Sequence, residues 1–398
     1  MNKEKKQVWK LTILFMMLYL VSYITRINYG AVISEIVKAE GILKSEASLA
    51  LTASAITYGA GQIISGFFGD RIEPKKLILA GLITTITTNL LLPFCGNSYQ
   101  MTAVWAVNGL AQAFMWPPLV RIMTSVFKRE DYNTACMIVS CAASLGTIVV
   151  YALAPVCIYL AGWRSIFITS AACAIIMAVV WIRKCPAVGG RNKVEKTADE
   201  KGIKMPVSAY VFVAFLMVAI AMQGILRDGV TTWMPSYISE TFRLDNKIAI
   251  LTGVILPIFS IIVTQITSAL YRKAVKNEML LAGLIFAAGC AASLILYFAN
   301  GISPIVSIAL SALLTGCMHG VNWVVTCMMP PRFKRYGKIS FMSGLLNSST
   351  YIGSSISVYG IAVFSENLGW NATLLMWTGV ALTGTVICLV LSTRINKM

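Results

Sequence analysis

The sequence predicts an all-α membrane protein of twelve spanning helices in two pseudo-symmetric six-helix bundles. Three observations predict it. The 398-residue chain is 57% hydrophobic and only 12% charged, with a mean hydropathy of +0.75, too apolar for a water-soluble protein of that length. Its apolar residues run in twelve stretches, each near the roughly 20 residues a helix needs to cross a bilayer. One long polar interruption divides those stretches six and six.

In order, the stretches are about 10–36, 45–69, 76–95, 99–126, 132–161, 164–183, 207–239, 247–270, 279–299, 303–328, 338–365 and 370–393. The first follows a basic Met1–Lys10 segment, as a secretory leader would. It is too long and aromatic for a leader's apolar region and lacks a small-x-small cleavage site, so it reads as a retained helix. The polar interruption, Arg183 to Lys204, carries Pro, paired Gly and mixed charge, the composition of a flexible linker. The expected organisation is an N-terminal bundle over 1–183, a cytoplasmic linker over 184–206 and a C-terminal bundle over 207–398.

Charge placement sets the expected orientation. The formal charge is +17, but the basic residues fall in short loops rather than on an aromatic-studded face, which argues against nucleic acid. Taking alternate loops as cytoplasmic puts 25 of the 33 Lys and Arg there, 5 opposite and 3 within helices. Both termini are then cytoplasmic by the positive-inside rule. The ten cysteines lie mostly inside helices without a CxxC, so they read as small hydrophobes, and no disulfide framework, metal or cofactor is expected.

The halves repeat weakly. A shift of 201 residues places Arg26 on Arg227 and Arg71 on Arg272, and a shift of 207 places Gly162-Trp163 on Gly369-Trp370. The loop after the second stretch, Gly66-Phe-Phe-Gly-Asp70-Arg71-Ile-Glu-Pro-Lys75-Lys76, resembles the signature loop of the major facilitator superfamily. There the acid and arginine form a cytoplasmic charge latch. Glu73 departs from the usual glycine, and the counterpart Tyr271-Arg272-Lys273 lacks the acid, so the latch is expected on one side only.

Three charges stand at membrane depth. A charged side chain at mid-bilayer costs at least ~2.5–3.5 kcal/mol on insertion scales, so it persists where it faces protein or water and has a role. Arg26 and Arg227 sit near the middle of the first and seventh stretches. Related by the pseudo-two-fold, they are expected to approach one central cavity and grip an anion between two guanidinium forks. The competing reading is local pairing, stronger for Arg227 because Asp228 follows it. Adjacent helical residues point about 100° apart, so Asp228 is expected not to pair with Arg227 on the cavity face, but to bridge another helix, act in gating or carry a proton. His319 reads either as a cavity-lining hydrogen-bond donor or as a packing residue. Arg121, near Lys128, is expected to snorkel toward the cytoplasmic boundary as a gate or anchor.

Further residues carry a resemblance. Tyr23-Ile-Thr-Arg26-Ile-Asn28-Tyr29, Tyr58-Gly59 ahead of the Asp70-Arg71 loop, Gln112-x-x-x-Trp116-Pro117-Pro118-x-x-Arg121, Leu226-Arg227-x-Gly229 with Trp233-x-Pro235-x-Tyr237, and Tyr351-Ile-Gly353 together resemble the organophosphate:phosphate antiporters of that superfamily. The resemblance runs over most of the chain. It implies exchange of inorganic phosphate for a phosphorylated metabolite, with Arg26 and Arg227 at the substrate arginines and Tyr23 and Tyr351 lining the site. Two positions depart: Gln62 stands where those antiporters carry a lysine, and Ala143 beside Ser144 where they carry a histidine. Two arginines against Asp228 leave a cavity of about +1, suited to a monoanion, and Tyr58, Trp116 and Trp233 join the tyrosines as rings able to pack on an organic body.

The expected function is secondary transport of a small organic anion, such as a phosphorylated sugar or glycerol derivative, by alternating access in a bacterial inner membrane, as a monomer in the lipid bilayer. The candidate substrate-binding residues are Arg26, Arg227, Tyr23, Tyr58, Gln62, Trp116, Tyr351 and His319, and the candidate gating or coupling residues are Asp70, Arg71, Arg121 and Asp228. Two other readings stay open: a transporter-like sensor of such anions, and a proton-coupled exporter of drugs or other organic compounds. An enzyme is not expected, since no nucleophile–base pair, metal cluster or phosphate-cradling glycine loop is present.

Overall fold

The computed structural model describes residues 3–42, 44–186, 205–243 and 255–395. Most of the expected linker, and the first part of the stretch expected at 247–270, lie outside the described residues. The helices are α1 (Lys3–Glu40), α2 (Lys44–Gly69), α3 (Pro74–Leu91), α4 (Ser98–Ala113), α5 (Trp116–Val126), α6 (Arg129–Ala161), α7 (Ser165–Lys184), α8 (Val207–Phe242), α9 (Ile255–Lys273), α10 (Glu278–Phe298), α11 (Pro304–Trp323) and α12 (Ile339–Ser392).

Helices α4 and α5 together fill one expected span. The break at Phe114-Met115 follows from Pro117 and Pro118, which supply no backbone N–H to the preceding turn; the helical pattern resumes with Leu119 N–H donating to the Met115 carbonyl at 3.3 Å. Helix α12 supplies two spans, because Gly369 adopts φ 77° and ψ 174° inside it, a conformation glycine reaches without a Cβ clash. Among the described residues, nine segments are long and apolar enough to cross a membrane. The segments outside that set, near 44–69, 98–126 and 339–365, are the ones interrupted by prolines or enriched in Ser, Thr and Gly. Helix starts follow local signals: Pro74 opens α3, and Asn97 and Asn277 accept backbone N–H groups at the starts of α4 and α10.

The chain divides into two compact units, Met1–Gly202 with Phe333–Leu345, and Ile203–Arg332 with Leu346–Met398. In the first, Tyr29, Trp105 and Phe167 meet as rings 5.4–6.3 Å apart, with Val32, Ile36 and Trp163 packed alongside. In the second, Phe286, Leu314, Met318, Trp323 and Trp377 are fully or almost fully buried. Close packing of α8 on α12 depends on two glycines: a Cβ on Gly224 would collide with the Thr350 carbonyl, and one on Gly353 with the Ala221 carbonyl. That seam brings the segment around Arg227 against the segment around Ser354.

Candidate functional site

In the first unit, Arg26 lies among aromatic rings. Its guanidinium carbon stands 4.2 Å from the Tyr23 ring centroid and 4.6 Å from that of Tyr58, within the range at which a ring quadrupole attracts a cation. Tyr58 is buried and Arg26 half-buried. Tyr23 continues through Tyr19, at 5.3 Å, to Trp116, 4.9 Å from Tyr19. Tyr19 was not among the expected residues; its place one helical turn before Tyr23 was the available signal. Gln62 is fully buried and donates to the Ala113 carbonyl at 3.4 Å.

Behind Arg26, α1 is held by a buried polar network. Ser22 donates to Gln112 Oε1 at 2.6 Å, and Gln112 donates to Thr25 Oγ1 at 2.8 Å. Asn89 and Asn108 both donate to the Thr25 carbonyl, and Asn28 donates to Asn89 and Ser170 at 2.8 and 3.0 Å. Four side chains from neighbouring helices, Gln112, Asn89, Asn108 and Ser170, thereby fix the rotation of the helix that carries the arginine.

In the second unit, Arg227 forms a two-pronged pair with its neighbour. Nε and Nη2 donate to the two carboxylate oxygens of Asp228 at 2.6 and 2.8 Å. This corrects the expectation drawn from helical angles. Those angles fix where Cβ points, whereas the long arginine stem folds back far enough to reach the adjacent carboxylate. Ser354 donates to Asp228 Oδ2, His319 lies within electrostatic reach of both charges, and the Tyr351 ring centroid is 5.9 Å from the Arg227 guanidinium. The Arg227 side chain is 12% exposed and that of Asp228 31%, so the carboxylate is the more accessible of the two.

Asp70 lies in the loop between α2 and α3. Its two oxygens accept the backbone N–H groups of Ser340 and Phe341 at 2.8 Å each, so a first-unit carboxylate caps the first turn of α12, itself part of that unit. Anions are favoured at a helix N-terminus by unpaired N–H groups and the helix dipole. Burial pushes the Asp70 carboxyl up to about 6, against the lowering influence of those two N–H groups, Arg121 and Arg71. Arg71 is exposed, donates to the Phe67 carbonyl at 2.9 Å and stacks on the Phe67 ring. Arg121 departs from its expected snorkelling: it is buried at 8% exposure and donates to the Gly69 carbonyl. The carbonyls that end α2 offer it acceptors that lipid does not.

The second unit holds a buried acid that the sequence reading missed. Glu278, 1% exposed, accepts Arg332 Nη2 at 2.6 Å and the Tyr271 hydroxyl at 2.7 Å. An acid–arginine pair is therefore present in that unit too, with the acid drawn from the start of α10. The available signal was an acidic residue in the first turn of an apolar helix.

The sequence profile of the Major Facilitator Superfamily matches residues 15–356. The glycerol-3-phosphate transporter of Bacillus subtilis is 25% identical over 384 residues, covering 89% of this chain and 85% of that protein. A probable hexose phosphate transport protein of Chlamydia muridarum is 25% identical over 203 residues, 50% of this chain and 44% of that one, so the chain spans about half the length of that relative. Among solved structures, a Major Facilitator Superfamily transporter, FucP, in the outward conformation superposes with a TM-score of 0.78 at 12% identity, over 97% of this chain and 99% of that one. The relatives' names fit the organophosphate antiporter resemblance, and the structural likeness extends the fold over nearly the whole molecule. The protein is a multi-pass membrane protein, and with the profile matched from residue 15 to residue 356 it belongs to the Major Facilitator Superfamily.

Proposed function

We propose that this protein is a secondary transporter that moves a small organic anion across the bacterial inner membrane by alternating access, as a monomer with both termini cytoplasmic. The observation that carries this reading is Arg26, held over the Tyr23 and Tyr58 rings on a membrane-spanning helix. Arginine at that depth serves to bind negative charge, and planar guanidinium forks suit carboxylate, sulfonate and phosphate oxygens. The names of the relatives from Bacillus subtilis and Chlamydia muridarum support a phosphorylated organic cargo.

In this reading Arg26 and Arg227 recognise the charged group, Tyr23, Tyr58, Trp116 and Tyr351 pack on the organic body, and His319 and Gln62 add hydrogen-bonding capacity. Asp70, Arg71, Arg121 and Asp228 govern conformational exchange. Two arginines against Asp228 leave these candidate residues a formal charge of about +1, which favours a monoanionic cargo over a full dianion.

The test is flux in proteoliposomes. Labelled glycerol 3-phosphate, inorganic phosphate and a sulfonate monoanion are each offered to vesicles loaded with the same anion. Saturable exchange lost in R26K supports the reading. Saturable binding to purified protein with no flux for any of the three would instead identify an anion sensor.

A further inference from the structure

The Arg227–Asp228 pair raises a question of charge balance. The carboxylate engages the guanidinium through two parallel hydrogen bonds, the same geometry an incoming carboxylate, sulfonate or phosphate would use. The two residues are adjacent on α8, so separating them takes side-chain rotation and no movement of the helix. The groups facing the Asp228 carboxylate are Arg227 on its own helix, His319 on α11 and Ser354 on α12, with Tyr351 of α12 beside the arginine. The seam at Gly224 and Gly353 holds α8 and α12 in contact, so Ser354 stays within reach of Asp228.

We propose that Asp228 is an internal substitute for the cargo's anionic group: cargo binding displaces it from Arg227, and one proton is taken up by Asp228 and His319 as it leaves. The inference rests on the proposal that Arg227 binds the cargo anion. Before binding, Arg227 and Asp228 cancel and His319 is neutral. After binding, the cargo cancels Arg227, leaving a carboxylate that retains the Ser354 hydroxyl but has lost its cation. A carboxylate at membrane depth that has lost its cation is costly, and one proton, on the carboxylate or on the imidazole beside it, restores the charge balance among Arg227, Asp228 and His319. Each anion that occupies Arg227 then travels with a proton, and the site's charge is unchanged by binding. Asp228 also sets specificity, since a cargo binds only if its anionic group outcompetes a carboxylate already in place.

The test is calorimetric titration of the full-length protein with 2-hydroxyethanesulfonate, whose charge stays constant between pH 5.5 and 8. By linkage, uptake of one proton strengthens binding as pH falls, by up to about tenfold per pH unit. The heat of binding, compared in buffers of different ionisation enthalpy, then reports up to about one proton absorbed per anion. In D228N the anion binds at least tenfold tighter than wild type at pH 8, and both the pH slope and the proton uptake vanish. The wild-type measurement needs no variant and stands if D228N does not fold. Binding to wild type that is flat with pH and absorbs no proton overturns the inference alone, as does a D228N variant that keeps the wild-type slope. If 2-hydroxyethanesulfonate, inorganic phosphate and glycerol 3-phosphate all fail to bind at any pH, the anion reading falls and the inference with it.

Discussion

Replacing Asp70 with Asn removes a charge that burial disfavours while keeping one carbonyl oxygen to accept from the start of α12. The consequence depends on pH in a direction the structure fixes. The Asp70 carboxyl is raised from 3.8 to about 6, so between those values the folded protein holds a proton that the unfolded chain releases. A raised carboxyl pKa therefore contributes stability at low pH that is lost as pH climbs through about 6, opposite to the usual salt-bridged aspartate. Between pH 7.5 and pH 5, wild type gains on the order of 1 kcal/mol from this group, and D70N gains nothing from the same position. For a chain of this length that difference is roughly 2 °C in apparent melting temperature. The assay is thermal unfolding of both proteins in detergent at the two pH values. The gap between them shifts in favour of wild type at pH 5. A shift the other way would mean that the two N–H groups and Arg121 outweigh burial, and would refute the reasoning.

Other perturbations follow from the same geometry. Y58F, which keeps the ring beside Arg26, retains anion affinity, whereas Y58L loses about 0.5–1 kcal/mol, a two- to fivefold weakening, read by titration. E278Q leaves Arg332 without its counter-charge and lowers stability by about 1–3 kcal/mol, seen as a lower melting temperature; an unchanged value would mean that the pair contributes nothing. G353V forces a side chain into the Ala221 backbone and costs about 1–3 kcal/mol, and it also disturbs anion binding because Ser354 moves with it. Q112L breaks the network that holds Thr25 and Ser22, and it weakens anion binding without touching Arg26 directly.

Span number and the two arginines were legible because both rest on composition: apolar length marks a span, and a guanidinium at membrane depth is rare enough to stand out. The break in the span expected at 99–126 was not read from the sequence, although Pro117 and Pro118 mark it. Nor was the pairing of Arg227 with Asp228 legible, since helical angles describe Cβ directions and say little about a side chain with four rotatable bonds. The Asp70 contact was hidden for another reason. Its partners, Ser340 and Phe341, are 270 and 271 residues away in sequence and engage through backbone N–H groups, which no side-chain pattern reveals. Gln112, Asn89 and Asn108 are ordinary polar residues until packing places them around Thr25. Tyr271 stands at the position of Asp70 under the internal repeat, while the buried acid sits seven residues later at Glu278, beyond what a strict residue shift detects.

Recognition of the cargo's charge by arginines is the claim on which the functional account rests, and affinity measures it most directly. Titration of wild type, R26K, R227K and the double variant with one monoanion at a single pH gives the answer. Each single lysine substitution is expected to weaken binding at least tenfold, because an ammonium cannot reproduce the planar two-pronged contact. Wild-type affinity in both single variants would contradict the account.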